Sequence, residues 1–184
     1  MTSALIRPAT DADLDPIVRC HIEVWRQTYS HLVPPELAEQ LTNHATRTQR
    51  WTALLNEHGP NRQVVVAEVD GTLAGFGLFG AGDAATFGTS GEIKYLYVAA
   101  RCQRHGIGRA LLGTMAERLA SVGYGSAALA VVRGNVQAVA FYERMGGRHV
   151  GDFMDPGPLW RSDNMLYRWD DLPALIARCR SKST

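Results

Sequence analysis

Residues 92–109, EIKYLYVAARCQRHGIGR, contain the stretch that decides the fold. The apolar run 92–98 is typical of a β-strand, the polar segment after it predicts a turn, and Gly106 and Gly108 open a long helical pattern. Glycine lets a backbone approach a ligand closely, and the free N–H groups at a helix start attract phosphate oxygens. Positive charge is added by three arginines: Arg101, Arg104 and Arg109. The stretch therefore predicts a site for the pyrophosphate of a nucleotide-like cofactor.

Two better-known phosphate motifs do not match this stretch. A dinucleotide-binding fingerprint needs a third glycine where Leu111 stands, and a P-loop needs a Gly-Lys-Ser/Thr sequence that is absent. The alternative without a ligand is a strand–turn–helix corner in which glycine permits close packing, and the two glycines alone do not exclude it.

The composition is that of an ordinary globular chain. Its 184 residues are 46% hydrophobic with a net charge of +1, which gives no sign of a nucleic-acid partner. We expect a single domain over 1–184, with a core at 3–169 and a C-terminal tail at 170–184. The three cysteines lack metal-ligand spacing, which favours a reducing compartment and no metal site. Without a signal-like start or a membrane-length apolar run, we expect a cytoplasmic protein with no membrane partner.

The order of predicted elements indicates a mixed α/β architecture. A strand at 3–8 precedes three helical stretches, and Asp70 and Gly71 form the preferred two-residue turn of a hairpin. A loop over 80–91 leads to strand, helix, strand, helix and two more strands. The sequence of the tail predicts one further, terminal helix. The order βααα-ββ-βαβαββ predicts a mixed sheet with helices on both faces.

A second informative pattern is NVQAVAFY at 135–142. Tyr142 lies seven positions after Asn135, so the two side chains project from nearly one face of a helix. A functional pair and a purely structural pair both fit this spacing. In the structural alternative, Asn135 is only the N-cap of the helix and Tyr142 is a core aromatic.

These motifs resemble those of the GNAT family of N-acetyltransferases. Residues 103–108 match the family's acyl-coenzyme A signature, Q/R-x-x-G-x-G, and N-x-x-A-x-x-F-Y followed by Gly-Gly at 146–147 matches its second motif. The resemblance covers about 3–169 and is strongest over 92–147. It implies an α/β (α+β) fold with a central, mostly antiparallel sheet, a splayed parallel pair and helices on both faces. It also implies acetyl-CoA as co-substrate and no metal.

The resemblance implies where the coenzyme binds. Backbone groups of Leu96, Tyr97 and Val98 would pair with the pantetheine arm as though it were an added strand. The phosphates would contact the turn and the helix start, namely Gln103, Arg104, His105, Gly106, Ile107, Gly108 and Arg109. Asn135 would help to hold the arm, and Tyr142 would lie near the sulfur.

Glu92 and Tyr142 are the catalytic residues that the resemblance implies. Only about one-thousandth of an amine of pKa about 10.4 is neutral at pH 7.4, a deficit of roughly 4 kcal/mol, so transfer to an amine needs a proton acceptor. In the family this base is a glutamate eleven residues before the signature Gln, and Glu92 has that spacing from Gln103; an ordinary strand-edge glutamate is the alternative. Tyr142 would protonate the leaving thiolate. Cys102 is an alternative nucleophile, although no histidine partner is placed by spacing.

The acceptor pocket is predicted to lie between the early helices and the last hairpin, which flank the thioester in this family. Its candidate residues are Trp25, Tyr29, Trp51, Asp155 and Trp160. Aromatic residues at helical spacing are more often core residues, which is the alternative for the tryptophans. We expect direct attack by a primary amine of a small molecule in a ternary complex. The alternatives left open are a protein or peptide acceptor and a non-catalytic acyl-CoA-binding or sensor domain. The oligomeric state is left open separately, with a homodimer as the candidate.

Overall fold

The structure is a computed structural model that describes residues 4–57, 59, 62–157 and 159–181. The strands are β1 (Leu5–Pro8), β2 (Arg62–Val69), β3 (Thr72–Ala81), β4 (Gly91–Val98), β5 (Ala127–Val132), β6 (Arg148–Asp155) and β7 (Ser162–Trp169). The helices are α1 (Leu14–Tyr29), α2 (Pro35–Leu41), α3 (His44–Asn56), α4 (Ala84–Phe87), α5 (Ile107–Ser121), α6 (Val136–Arg144) and α7 (Leu172–Arg180). None of the described helices is both long and apolar enough to cross a membrane.

The seven strands form one sheet in the order β1–β2–β3–β4–β5–β7–β6. Neighbouring strands are antiparallel, except that β4 and β5 run parallel. This topology confirms the mixed, mostly antiparallel sheet that the sequence predicts. The parallel pair requires the chain to cross over the sheet, and α5 is the crossover helix.

Two apolar clusters cover the two faces of the sheet. One lies beneath α5, α6 and α7, and the other lies beneath α1 and α3. In β2, Val65 and Ala67 belong to the first cluster, whereas Val64 and Val66 belong to the second. Because side chains alternate across a strand, a continuous apolar run is what a strand covered on both faces requires.

Local sequence signals determine several element boundaries. The Thr10 backbone N–H donates to Asp13 Oδ2 at 2.8 Å, which closes the predicted cap before α1. Asp70 and Gly71 have φ angles of 50° and 73°, as the predicted hairpin turn requires.

Two segments differ from the expectation. The 80–91 loop contains the last residues of β3 and the one-turn helix α4, which Asp83 caps by accepting from the Thr86 N–H at 3.0 Å. The C-terminal tail forms the last helix that the sequence predicts, α7, but its Leu172 and Leu175 lie beyond the expected limit of the core and are buried in the cluster beneath α5. Residues after 169 therefore also contribute to the core.

Candidate active site

The central feature of the site is a gap between two parallel strands. β4 and β5 pair only at Gly91 with Ala127 and at Glu92 with Ala128. Beyond these pairs β4 continues along β3 as far as Val98, while β5 stays with β7. Because strands that diverge leave backbone N–H and C=O groups facing the space between them, the far half of β4 can accept an added extended segment.

A β-bulge marks the place where the strands separate. Leu78 of β3 pairs with Tyr95 and Phe79 pairs with Ile93, so Lys94 is an extra residue in β4. An extra residue bends a strand and increases its twist. The bulge therefore lies immediately after Glu92 and helps to turn β4 away from β5. The sequence-level resemblance implied the splay, but no residue in the sequence identified Lys94 as its position.

The bulge also controls which way the β4 side chains point. Ile93, Leu96 and Val98 pack toward α5, whereas Tyr95 and Tyr97 pack toward α1 and α3. The predicted contribution of Leu96, Tyr97 and Val98 to coenzyme binding therefore concerns their backbone groups, since their side chains are used in packing.

The turn that follows β4 has the backbone geometry of an anion site. Arg104 and Gly106 have φ angles of 62° and 81°, and Gly106 is the N-cap of α5. Alternation of left- and right-handed residues at a helix start directs successive N–H groups toward one side. The Gln103 side chain donates to the Val98 carbonyl at 3.1 Å and ties the turn to the end of β4. Ile107 is buried, so only its backbone N–H is available to a ligand.

The two glycines of the signature have different surroundings. A Cβ at Gly106 would meet no atom within 4 Å, whereas a Cβ at Gly108 would lie 3.6 Å from Phe141 Cζ and 3.7 Å from Val98 Cγ2. Gly106 therefore borders the open space in front of the helix start, and Gly108 lies against α6 and β4.

The neighbouring cations are only partly directed at the turn. Arg101 donates to the Leu73 carbonyl at 3.0 Å, and Arg109 donates to the Ser181 carbonyl at 2.8 Å. Arg104 and His105 are exposed. Cys102 packs against both apolar clusters, which directs its side chain away from the gap.

We expect Gly106→Val to weaken acetyl-CoA binding by at least about tenfold, because the new side chain would occupy the space in front of the N–H groups. Isothermal calorimetry on the folded variant measures the effect. Gly106→Asn separates steric exclusion from backbone strain, since Asn tolerates the left-handed conformation. Gly108→Ala is the matched control and should bind normally. Unchanged affinity in both Gly106 variants would contradict the assignment of the phosphate site.

Glu92 is located at the last β4–β5 pair, where the gap begins. Its side chain is 14% exposed, and burial raises the pKa of the carboxyl group, although Lys94 and Arg62 oppose the rise. Lys94 Nζ lies 3.7 Å from Glu92 Oε1. A carboxylate with a raised pKa is a stronger proton acceptor. The raised pKa therefore favours a role as proton acceptor for Glu92 over that of an ordinary glutamate at a strand edge.

Burial of this carboxylate also has a measurable effect on stability. The folded-state pKa of Glu92 is raised above 4.5, so ionisation at neutral pH lowers the free energy of unfolding. We expect Glu92→Gln to be at least as stable as the wild type at pH 7, and any gain to disappear as the pH falls below 4.5. Thermal melts at both pH values test this. A variant that is clearly less stable at pH 7 would indicate that Glu92 mainly holds the fold.

Tyr142 lies in the last turn of α6 and has its ring in the core. The ring packs edge-on against Trp169 at 5.9 Å and against Phe141 at 5.4 Å on the α5 side of the sheet. Burial raises the pKa of Tyr142, and the charge of an ionised Tyr29 would raise it further. Tyr29 ends α1, which packs on the opposite face of the sheet, so the two tyrosines belong to elements on opposite faces. The Tyr142 hydroxyl forms no hydrogen bond with any residue that the structure describes.

Asn135 has the structural role of an N-cap and a second contact as well. Its Oδ1 accepts from the Ala138 N–H at 3.2 Å, and its Nδ2 donates to the Tyr29 hydroxyl at 3.0 Å. The second bond joins the start of α6 to the end of α1 across the gap. Burial raises the pKa of Tyr29, while hydrogen bonds with Asn135 and Tyr97 oppose the rise.

Three of the predicted acceptor-pocket residues lie together. The rings of Trp25, Tyr29 and Trp160 have centroids 5.7–5.9 Å apart, which brings the β6–β7 loop onto the end of α1. Asp155 does not point at this cluster; its Oδ1 accepts from the Gly157 N–H at 2.9 Å within the loop. Trp51 is fully buried, so its suggested place in the pocket is wrong and the core alternative is correct.

Sequence reasoning missed a buried polar group behind the site. His21 of α1 accepts from Trp51 Nε1 at 3.0 Å through Nδ1, and Arg47 Nη1 lies 3.0 Å from His21 Nε2. The rings of Tyr95 and Tyr97 lie 5.1 and 4.8 Å from that of His21. No motif in the sequence marks His21 or Arg47, because their partners come from distant elements.

The geometry defines a class of protein. A sheet splayed at its parallel pair, with a buried carboxylate where the gap begins and an anion-binding helix start at the end of β4, is the architecture of an acyl-CoA N-acyltransferase fold. The model of the Acetyltransferase (GNAT) family matches residues 23–147, more than half of the chain. The chain therefore belongs to the GNAT family and is an N-acetyltransferase.

Individual relatives agree with this assignment. The uncharacterized N-acetyltransferase YuaI of Bacillus subtilis (strain 168) is 28% identical over 170 residues, covering 92% of this chain and 95% of that protein. The PaiA N-acetyltransferase from Thermoplasma acidophilum, solved in complex with coenzyme A, has a TM-score of 0.68 at 18% identity, covering 90% and 98% of the two chains. YncA, a putative acetyltransferase from Salmonella typhimurium solved with acetyl-CoA, has a TM-score of 0.65 at 18% identity, covering 93% and 95%.

Proposed function

We propose that the enzyme transfers the acetyl group of acetyl-CoA to a primary amine of a small molecule by direct attack in a ternary complex. The observation that carries the proposal is the separation of β4 from β5 directly after Glu92. One strand thereby presents a proton acceptor at its start, unpaired backbone groups along its length and an anion-binding turn at its end.

The described residues fit acetyl-CoA as co-substrate. The unpaired edge of β4 suits the amides of the pantetheine arm, and the open space at Gly106 suits the pyrophosphate. Asn135 closes the gap from the α6 side through its bond to Tyr29. The structural neighbours solved with coenzyme A and with acetyl-CoA support this choice.

Glu92 is the proposed proton acceptor. Acting through water, it would take the proton from the ammonium group of the acceptor, so that the neutral amine can attack the thioester. Its raised pKa brings the carboxyl closer to the working pH, which improves proton transfer from the amine. Backbone N–H groups beside the bulge would polarise the thioester carbonyl, since they lie where β4 has no partner strand.

Tyr142 is the proposed proton donor to the departing sulfur. With its pKa raised by burial, the phenol remains protonated throughout the neutral range. Transfer to a free thiolate of pKa about 8.5 would be uphill in water, but burial in the same gap raises the pKa of the thiol as well. Tyr142 would therefore act as the C–S bond breaks, when negative charge develops on the sulfur.

The aromatic cluster of Trp25, Tyr29 and Trp160 supports a small acceptor, because large rings narrow the approach to the gap from the α1 side. We also expect the enzyme to act in the cytoplasm as a single domain, and to need no metal, nucleic acid or membrane. A homodimer is a prediction that gel filtration with light scattering would test.

A screen for thiol release tests the proposal. Purified enzyme and acetyl-CoA are incubated with a panel of amino acids, polyamines, aminoglycosides and peptides, and free coenzyme A is measured. Turnover with a small amine supports the proposal, and turnover with peptides alone would reassign the acceptor class. Tight acetyl-CoA binding without release from any amine would favour the non-catalytic sensor.

A further inference from the structure

Arg47 of α3 is a buried cation without a carboxylate partner. It is 8% exposed, its Nε donates to the Leu41 carbonyl at 2.8 Å, and its Nη1 lies near His21. All 18 Asp and Glu residues of the sequence belong to the described part of the chain, and none of them forms an ion pair with Arg47. Burying an unpaired charge costs several kcal/mol, so this arrangement calls for an explanation.

His21 does not supply the missing partner. Burial and the charge of Arg47 hold the pKa of His21 well below its ordinary value, so the imidazole is neutral. A neutral imidazole has one acceptor nitrogen, and Trp51 Nε1 already donates to Nδ1 at 3.0 Å. With Nδ1 as the acceptor, Nε2 carries the proton and Arg47 Nη1 has only the longer contact with Nδ1, at 3.4 Å. In either tautomer the neutral ring supplies no negative charge to Arg47. The Arg47 Nη2 forms no hydrogen bond with any residue in the described ranges.

The guanidinium group lies on the face of the sheet that α1 and α3 cover. Tyr95 and Tyr97 project from β4 onto the same face of the sheet as α1 and α3, and both are half-buried. Burial raises the pKa of Tyr97, the neighbouring tyrosines add to the rise, and the positive charge of Arg47 opposes it. His21 joins Arg47 to these two tyrosines, because Arg47 Nη1 lies 3.0 Å from His21 Nε2 and the His21 ring lies 5.1 and 4.8 Å from those of Tyr95 and Tyr97. Trp51 and Phe76 pack edge-on at 5.1 Å and are fully buried, whereas Tyr95 and Tyr97 keep part of their surface exposed.

We infer that the acceptor amine carries a carboxylate that pairs with Arg47, so that the natural substrate is an amino acid or an amino-acid-like zwitterion. This inference rests on the proposed function. A guanidinium group binds a carboxylate through two parallel hydrogen bonds, and one positive charge matches one negative charge. With the carboxylate held at Arg47, the amine is directed toward the gap and Glu92. A polyamine would instead bring a second cation against Arg47, so the same residue rejects it.

The first test compares matched acceptors on the wild-type enzyme. The acceptors are α-amino acids, their α-carboxamides, which keep the shape but lose the negative charge, and a diamine. We expect kcat/KM to be at least about thirtyfold higher for the best amino acid than for its carboxamide. The amine of the carboxamide is less basic than that of the amino acid, so more of it is in the neutral, reactive form. Amine protonation alone would therefore favour the carboxamide and cannot produce the expected preference. A ratio below about twofold would overturn the inference, while thiol release from the carboxamide would still support the proposed function.

The second test asks whether Arg47 is the residue that causes the preference for the amino acid over its carboxamide. Arg47→Met should reduce the amino-acid-to-carboxamide ratio to about one, chiefly through a higher KM for the amino acid, and leave the carboxamide within a few-fold of wild type. Arg47→Lys should keep part of the preference. The control is Arg50→Met, which removes an exposed charge from the same helix and should leave the ratio unchanged. Equal losses with both acceptors in Arg47→Met would show a purely structural role. If Arg47→Met does not fold, the wild-type ratio and Arg47→Lys decide the question.

Discussion

Replacing Tyr142 by phenylalanine is expected to slow acetyl transfer by about 10²-fold or more, while the affinity for acetyl-CoA changes little. The substitution removes one oxygen atom and leaves the ring against Phe141 and Trp169. Because the hydroxyl has no hydrogen-bond partner among the described residues, its removal leaves no buried group unpaired there. The lost function would be stabilisation of the sulfur as the C–S bond breaks. Single-turnover kinetics with a saturating acceptor isolate this step from product release.

Tyr167→Phe is the matched control for this experiment. Tyr167 packs beside Tyr142 in the same cluster, but its hydroxyl donates to Glu143 Oε1 at 2.9 Å, away from the gap. We expect this variant to lose some stability and no chemical rate. Wild-type single-turnover rates in Tyr142→Phe would assign Tyr142 to the core alone.

Replacing Glu92 by glutamine is expected to lower turnover by about 10²-fold at neutral pH and by much less at high pH. Near pH 7 the acceptor is mainly an ammonium ion, and the variant lacks the group that removes its proton. As the pH rises toward the pKa of the amine, solvent supplies the neutral nucleophile and the loss should shrink. Acetyl-CoA affinity should not change, because the carboxylate is at the start of the gap and the phosphate turn is at the other end of β4.

The measurement is a pH–rate profile of both enzymes with a defined amine. Glu117→Gln serves as the control for removing one negative charge, since Glu117 is exposed on α5 and pairs with Arg180. Parallel profiles that differ by less than about twofold would exclude Glu92 as the base and leave proton removal to another group or to water.

The strand–turn–helix unit was predictable because its determinants are local. Gly106 has to adopt a left-handed conformation at the helix start, and the Asp70-Gly71 turn is favoured by those two residues themselves. The location of Glu92 beside the gap was predictable only through the family resemblance. The position of the bulge at Lys94 depends on the register between β3 and β4, which no local pattern around Lys94 indicated.

The acceptor side shows the limit of sequence reasoning most clearly. Five residues were predicted to line the acceptor pocket. Three of them are in contact, namely Trp25, Tyr29 and Trp160. The other two, Trp51 and Asp155, make contacts elsewhere. An aromatic residue at helical spacing has the same pattern whether it faces a core or a pocket. Whether such a residue lies in a core or lines a pocket depends on the element that packs against it.

The sequence by itself determined the order of the elements, the glycine turn before α5 and the candidate residues for proton transfer, because each depends on residues close together in the chain. Only the tertiary structure decided that Tyr142 packs against Trp169, that Asn135 and Tyr29 bond across 106 positions, and that Arg47 is buried without an ion pair to any described carboxylate. These contacts join separate elements. They exist because the sheet splays between β4 and β5 while α1, α3 and α6 are packed around the opening.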